Sequence, residues 1–138
     1  MSMPEAIYHN PRSVPLPTRL AAHAAVTAAR VLARRPPRQI RRLLTRLRRG
    51  ARPATREQVL DARQAVMAVS LVCAAREGCL PRSLAVVLLC RARGTWAAWC
   101  VGTRRLPPFS AHAWVEVDGE PVGEEFPADY FRTFFTVA

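Results

Sequence analysis

Apolar residues recur every three or four positions through the first two thirds of the chain, which is the spacing of helices that bury one face. A first helix is predicted from Thr18 to Ala33, before Pro36-Pro37, and a second from Pro37 to Arg49. The spacing predicts the following buried positions: Leu20, Ala24, Val31 and Leu32 in the first helix, and Ile40, Leu43, Leu44 and Leu47 in the second.

A helical hairpin is predicted next. Thr55 and Gln58 form a capping-box pattern at the start of a third helix, which is predicted over residues 56–76. A turn at Gly78 leads into a fourth helix that begins near Cys79 and tolerates a proline in its first turn. Residues 83–90 are almost wholly apolar, so this helix is predicted to be buried on most sides.

Beyond Gly94 the residues favour strands. Strands are predicted over residues 95–102 and 109–117, and Asp118-Gly119 is a strong signal for a hairpin turn into a returning strand. Residues 128–138 are predicted to form a final packed element, either a short helix turn or a strand. Helices followed by a hairpin sheet predict an α+β fold.

Charge divides the chain near residue 56. Residues 1–56 hold thirteen arginines and one acid, whereas residues 57–138 hold eight arginines and nine acids. Three interpretations of the basic front stay open: a solvated face, a surface for an acidic partner, and a surface for nucleic acid or an anionic membrane. The second predicted helix contains no aromatic residue for reading nucleic acid, which weighs against that interpretation, and nucleic acid is not among the expected partners.

The four cysteines are predicted to be free thiols. They lack the CxxC spacing of metal sites, and no secretory signal precedes them; they are Cys73, Cys79, Cys90 and Cys100. We therefore expect a reducing, cytoplasmic compartment. The longest apolar run, residues 84–90, is too short to cross a membrane, so no stable membrane insertion is expected. No phosphate loop or metal pattern is visible, and no cofactor is expected.

A candidate nucleophile lies where the fourth helix starts. The helix dipole stabilises a thiolate at Cys79, and the free N–H groups of the first turn, including that of Cys79, suit an oxyanion. The alternative is that Cys79 is only a small buried apolar residue. His112 is the histidine that lies on a predicted strand beside an acid-bearing hairpin, so it is the candidate base. A two-residue turn places it opposite Glu125, and a bulge would bring Glu124 instead.

Three segments resemble the lasso-peptide leader peptidase, the stand-alone protease half of the B protein, which is a small transglutaminase-like cysteine peptidase. These segments are residues 78–84, 108–119 and 121–124, and the resemblance covers roughly residues 57–138. It implies a papain/transglutaminase-like core, in which a buried helix carrying the cysteine packs on a small antiparallel sheet behind basic N-terminal helices. The chain then divides into an irregular segment (1–15), an arginine-rich helical region (16–54) and a peptidase domain (55–138).

The resemblance also implies roles and partners. The family's cysteine and histidine correspond to Cys79 and His112, and its acid, usually Asp, corresponds to Glu124, with Glu125 in reserve. The implied partners are the precursor's leader peptide, a separate recognition protein with a small PqqD-like domain, and, as a further candidate, the lasso cyclase. The alternatives are a transglutaminase-like amidase or acyl transferase, and a module that binds nucleic acid or a membrane surface through the basic helices.

Overall fold

Five helices and six strands make up the part of the chain that the computed structural model describes, residues 10–138. The helices are α1 (Leu16–Leu32), α2 (Pro37–Leu47), α3 (Arg56–Val69), α4 (Leu71–Ala74) and α5 (Cys79–Ala92). The strands are β1 (Arg52–Pro53), β2 (Thr95–Trp96), β3 (Ala98–Arg104), β4 (Ala111–Val117), β5 (Glu120–Pro121) and β6 (Phe131–Val137). This arrangement confirms the predicted α+β class. Most of the predicted irregular start, residues 1–9, lies outside the described residues.

Helix α5 forms the centre of the fold. Helices α1 and α3 pack on it, and β4 packs on it as well. Its apolar run is buried apart from the partly exposed Leu88, with Leu84, Val87 and Leu89 at 0 % exposure. The prediction of a helix buried on most sides is confirmed, because its apolar residues point in every direction around the axis and each needs a covering element.

The strands form a four-stranded antiparallel sheet in the order β5-β4-β3-β6, and β1 pairs with β2 in a separate parallel ladder. Strand β3 is central, and its Trp99 packs towards α5, where the indole Nε1 donates a hydrogen bond to Ser83 Oγ at 3.0 Å. The final element combines the two predicted possibilities, because a 3-10 turn at Ala128–Tyr130 leads directly into β6.

The hairpin turn has the predicted form. Asp118 and Gly119 both have positive φ, 53° and 79°, as a two-residue turn of this kind requires. Val117 pairs with Glu120, and the ladder extends to Val122, whose N–H donates to Val115 at 2.9 Å. The chain then leaves the ladder at the next residue.

The predicted third helix is wrong in its length. Its start is confirmed, because the capping box of Thr55 and Gln58 is complete. However, α3 ends at Val69, and the hydroxyl of Ser70 accepts a hydrogen bond from the N–H of Cys73 at the start of α4. Serine hydroxyls favour helix starts over helix interiors, so Ser70 divides the segment.

The predicted buried face of α1 is wrong in part. The helix begins at Leu16, and Leu20 and Val31 are 62 % and 57 % exposed. The buried positions are mostly small, with Ala22 and Ala29 at 0 % exposure. Alanines let α1 approach its neighbours closely, so the helix buries its small residues and leaves larger ones in solvent. In α2, the predicted Ile40 and Leu44 are buried and Leu43 is 41 % exposed.

One core cluster takes side chains from both sides of residue 55, including Ala29, Ile40, Val66 and Leu84. The division into residues 16–54 and 55–138 stays a prediction. No helix within residues 10–138 has both the length and the apolar character needed to cross a bilayer.

The corner before α5 depends on a glycine. A Cβ at Gly78 would collide with the backbone carbonyl oxygen of Val72. We expect Gly78→Ala to lower the free energy of unfolding by about 3 kcal/mol, the upper range of overpacking costs. Gly94→Ala is the control. Gly94 has a φ of +89° with open space around it, so its substitution should lower the free energy of unfolding by only about 1 kcal/mol. Urea unfolding measures both values, and equal losses would contradict this account of the corner.

Candidate active site

Cys79 is the first residue of α5, directly after the N-cap Gly78. Its side chain is partly exposed, unlike those of the other three cysteines, which are buried. The first N–H groups of a helix have no intrahelical acceptor, so they are free to interact with a ligand. The structure therefore places the thiol at the position that the sequence predicted, beside free N–H groups that include its own.

His112 faces an acid that comes from the end of the hairpin. Its Nε2 lies 3.2 Å from Oε2 of Glu124, and both side chains are mostly buried. Glu125, the reserve residue, is exposed. The choice between them follows from Gly123, whose φ of +75° takes the chain out of the ladder one residue before Glu124. The structure thus brings Glu124, and not Glu125, to the histidine.

The thiol of Cys79 contacts β4. Burial raises its pKa, but a hydrogen bond with His112, a bond from the backbone of Ala113 and the charges of His112 and Arg82 together lower the pKa below the ordinary value of 9.0. Val115 accepts a bond from Val122, so Ala113, two residues earlier on the strand, presents its backbone to the same edge. Strand β5 pairs only with Glu116 and Val117, and Cys79 contacts the same edge of β4 further along, at Ala113.

The pKa of His112 moves in the complementary direction. Burial lowers it, but hydrogen bonds to Cys79 and Glu124, with their negative charges, raise it to about 9 from the ordinary 6.5. The lowered thiol pKa and the raised imidazole pKa both favour a thiolate–imidazolium pair over the neutral pair. This is the reactive form of a cysteine nucleophile.

Aromatic rings cover the histidine. Its ring stacks on that of Phe131 at 4.7 Å and on that of Trp114 at 5.8 Å between centroids. Trp114 is held in turn by Glu116, whose Oε2 accepts a hydrogen bond from the indole Nε1 at 2.8 Å. The Glu116 carboxylate is therefore a hydrogen-bond partner of Trp114. Rings that exclude water strengthen the interaction between His112 and its carboxylate partner.

Arg82 is a residue whose contribution the sequence analysis missed. It is 9 % exposed, and its Nη1 donates to the carbonyls of Cys73 and Ala75, at 2.9 and 3.1 Å. It thereby ties the segment before the corner to α5, and its charge helps to lower the pKa of Cys79. The signal was present, because residues three apart on a helix share a face, and Arg82 follows Cys79 by three.

The other thiols differ from Cys79. Burial raises the pKa of Cys73 and of Cys90, and it raises that of Cys100 to about 12. No group of three or more His, Cys, Asp or Glu side chains within residues 10–138 is arranged to hold a metal ion. Among the four cysteines, Cys79 is the one whose pKa is lowered.

Comparison with known proteins gave one family. The sequence model of a family described as the transglutaminase-like superfamily matches residues 22–136. The match includes most of α1, all of α2 and the whole site. No curated protein matches the chain, and no solved structure does.

The contact between Glu124 and His112 predicts a matched pair of variants. Glu124→Gln removes the carboxylate charge that favours the imidazolium, so the thiolate of Cys79 loses support and its pKa should rise. The rate of Cys79 alkylation by iodoacetamide, followed against pH by mass spectrometry, should then move to higher pH. Glu125→Gln removes an exposed carboxylate of the same type and should leave the curve in place. A shift in both variants, or in neither, would contradict the pairing.

Proposed function

The chain belongs to the transglutaminase-like superfamily, and on that premise we propose that it is a cysteine peptidase in which Cys79, His112 and Glu124 act together. One observation carries the proposal: the imidazole of His112 lies in contact with the thiol of Cys79 and with the carboxylate of Glu124. A nucleophile, a base and a group that orients the base are the parts that covalent catalysis of acyl transfer requires.

The proposed reaction has two steps. The Cys79 thiolate attacks the peptide carbonyl, and the N–H of Cys79 helps to hold the oxyanion that forms. The C–N bond breaks as the imidazolium of His112 gives its proton to the departing amine, leaving a thioester. The neutral imidazole then takes a proton from water, and the resulting hydroxide attacks the thioester to release the acid and restore the thiolate. Glu124 keeps the ring oriented and favours its charged form throughout.

The proposed substrate is the leader–core junction of a ribosomally made lasso-peptide precursor. The support is the resemblance of residues 78–84, 108–119 and 121–124 to leader peptidases of that kind. Cleavage would free the core N-terminus for cyclisation by a partner enzyme, as a step in antibiotic biosynthesis. A separate PqqD-like protein would present the leader. A reducing, cytoplasmic setting is part of the proposal, supported by four free cysteines.

Acyl transfer to an amine is the second candidate, because the superfamily is transglutaminase-like and the same three side chains serve both reactions. The difference lies in what attacks the thioester. An added amine that enters the product in preference to water would favour this candidate over hydrolysis.

Replacing the nucleophile tests the proposal directly. A lasso precursor, its recognition protein and this enzyme are incubated, and the products are followed by mass spectrometry. We expect Cys79→Ala to lower the cleavage rate by about 10⁴-fold or more, since the covalent step is lost. Cys90→Ala is the control, because that thiol is buried within the same helix and its pKa is raised. Cleavage by Cys79→Ala at the normal rate would overturn the proposed mechanism.

The two pKa shifts predict a bell-shaped pH dependence of kcat/KM. Activity should rise as Cys79 loses its proton, at a pH below the ordinary thiol value of 9.0. It should fall as pH passes about 9, where His112 loses the proton that the departing amine needs. Initial rates with the precursor complex across this range measure both limbs. A rate that keeps increasing well above pH 9 would show that the imidazolium is not required.

A further inference from the structure

An apolar groove runs between α1 and α2, on a surface that the proposed mechanism does not use. It has a volume of about 690 Å³, and its floor includes Ala24, Ala28 and Val31 from α1 and Leu43 from α2. Val31 is 57 % exposed and Leu43 is 41 % exposed. These are apolar positions that helical spacing marks for burial, yet nothing within residues 10–138 covers them.

The rim of the groove is positively charged. Arg35 lines the groove itself. Arg34 follows Val31 by three residues, just after the end of α1, and Arg46 follows Leu43 by three residues on α2, where it lines the adjoining arginine-rich surface. All three are exposed, and within residues 10–138 no carboxylate lies at ion-pair distance from them. The chain has no acidic residue from position 6 to position 56, so this charge is not balanced locally.

We propose that this groove binds an acidic amphipathic segment of a partner protein, whose apolar side chains fill the floor and whose carboxylates meet the arginine rim. A concave apolar floor fits a helix or an extended peptide that presents side chains at regular spacing. Arginine is suited to the rim, because its planar guanidinium pairs with carboxylates through two parallel hydrogen bonds. The stretch from Ala24 to Val31 is two helical turns long, so the floor accommodates a segment of similar length.

Other occupants fit the groove less well. A second copy of this chain, with a net charge of +11, would bring arginines against arginines. Nucleic acid would match the rim but would leave the apolar floor without a partner. An anionic membrane prefers a surface with aromatic side chains at its apolar face, whereas no aromatic residue lines this groove.

A binding measurement tests this proposal independently of peptidase activity. The probe is a fluorescein-labelled peptide of leucine and glutamate, with leucines at positions i, i+3, i+4 and i+7 of a helix. A second peptide carries lysine in place of every glutamate. Vesicles of equal parts phosphatidylcholine and phosphatidylglycerol, and a short DNA duplex, serve as the competing ligands.

We expect the wild-type chain to bind the leucine–glutamate peptide and not its lysine counterpart. The double variant Val31→Ser, Leu43→Ser should weaken binding by about tenfold or more, because it removes apolar contact at the floor. Arg35→Gln with Arg46→Gln should weaken binding and flatten its dependence on salt. Leu16→Ser is the matched control, since Leu16 is an exposed apolar residue of α1 outside the groove, at 58 %.

Several results would overturn the proposal. These are equal binding by the floor variant and by Leu16→Ser, equal binding of the two peptides, and no binding of the leucine–glutamate peptide. Preferential binding of the vesicles or the DNA would assign the surface to a membrane or to nucleic acid instead. Because the measurement needs no cleavage, a Cys79→Ala protein should give the same affinities, which separates this result from the outcome for the active site.

Discussion

The burial of α5 on most of its sides is the constraint on which the rest of the structure depends. A helix with apolar residues all round needs several covering elements, and here two helices and the sheet supply them. Packing on the sheet, together with the bond between Trp99 and Ser83, fixes the helix axis relative to β4. The first residue of the helix is thereby held at the edge of that strand. Packing of the core therefore places the thiol beside His112.

The approach of Glu124 to His112 depends on a different and local constraint. A regular ladder would put Glu125 opposite the histidine and turn Glu124 to the other face. The chain avoids this at Gly123, where positive φ ends the pairing. A side chain there would collide with Arg63, which packs against the glycine. Regular strand pairing therefore ends at Gly123, and this allows the Glu124 carboxylate to reach the imidazole of His112.

Local patterns were sufficient to predict much of this fold. The capping box at Thr55, the apolar run of α5 and the Asp118-Gly119 turn each act over a few residues, and all three have the predicted form. The face of α1 was mispredicted because hydropathy ranks leucine and valine above alanine, whereas close helix packing favours the smaller residue. The ring of Phe131 over His112 was not predicted, because it depends on β6 pairing with β3 across some thirty residues of chain. The preference for Glu124 over Glu125 rested on resemblance, since spacing alone favoured the other residue.

The position of α2 has a consequence for how the molecule behaves at high concentration. Strand β6 is the last strand of its sheet within residues 10–138, where one of its edges has no pairing strand, and such edges recruit strands from other chains. Helix α2 lies against the C-terminal half of that strand, where Arg41 stacks on Phe135 and Arg48 donates to the carbonyl of Ala138. Helix α2 therefore concentrates positive charge beside this strand, and repulsion between like charges on two copies disfavours edge-to-edge aggregation.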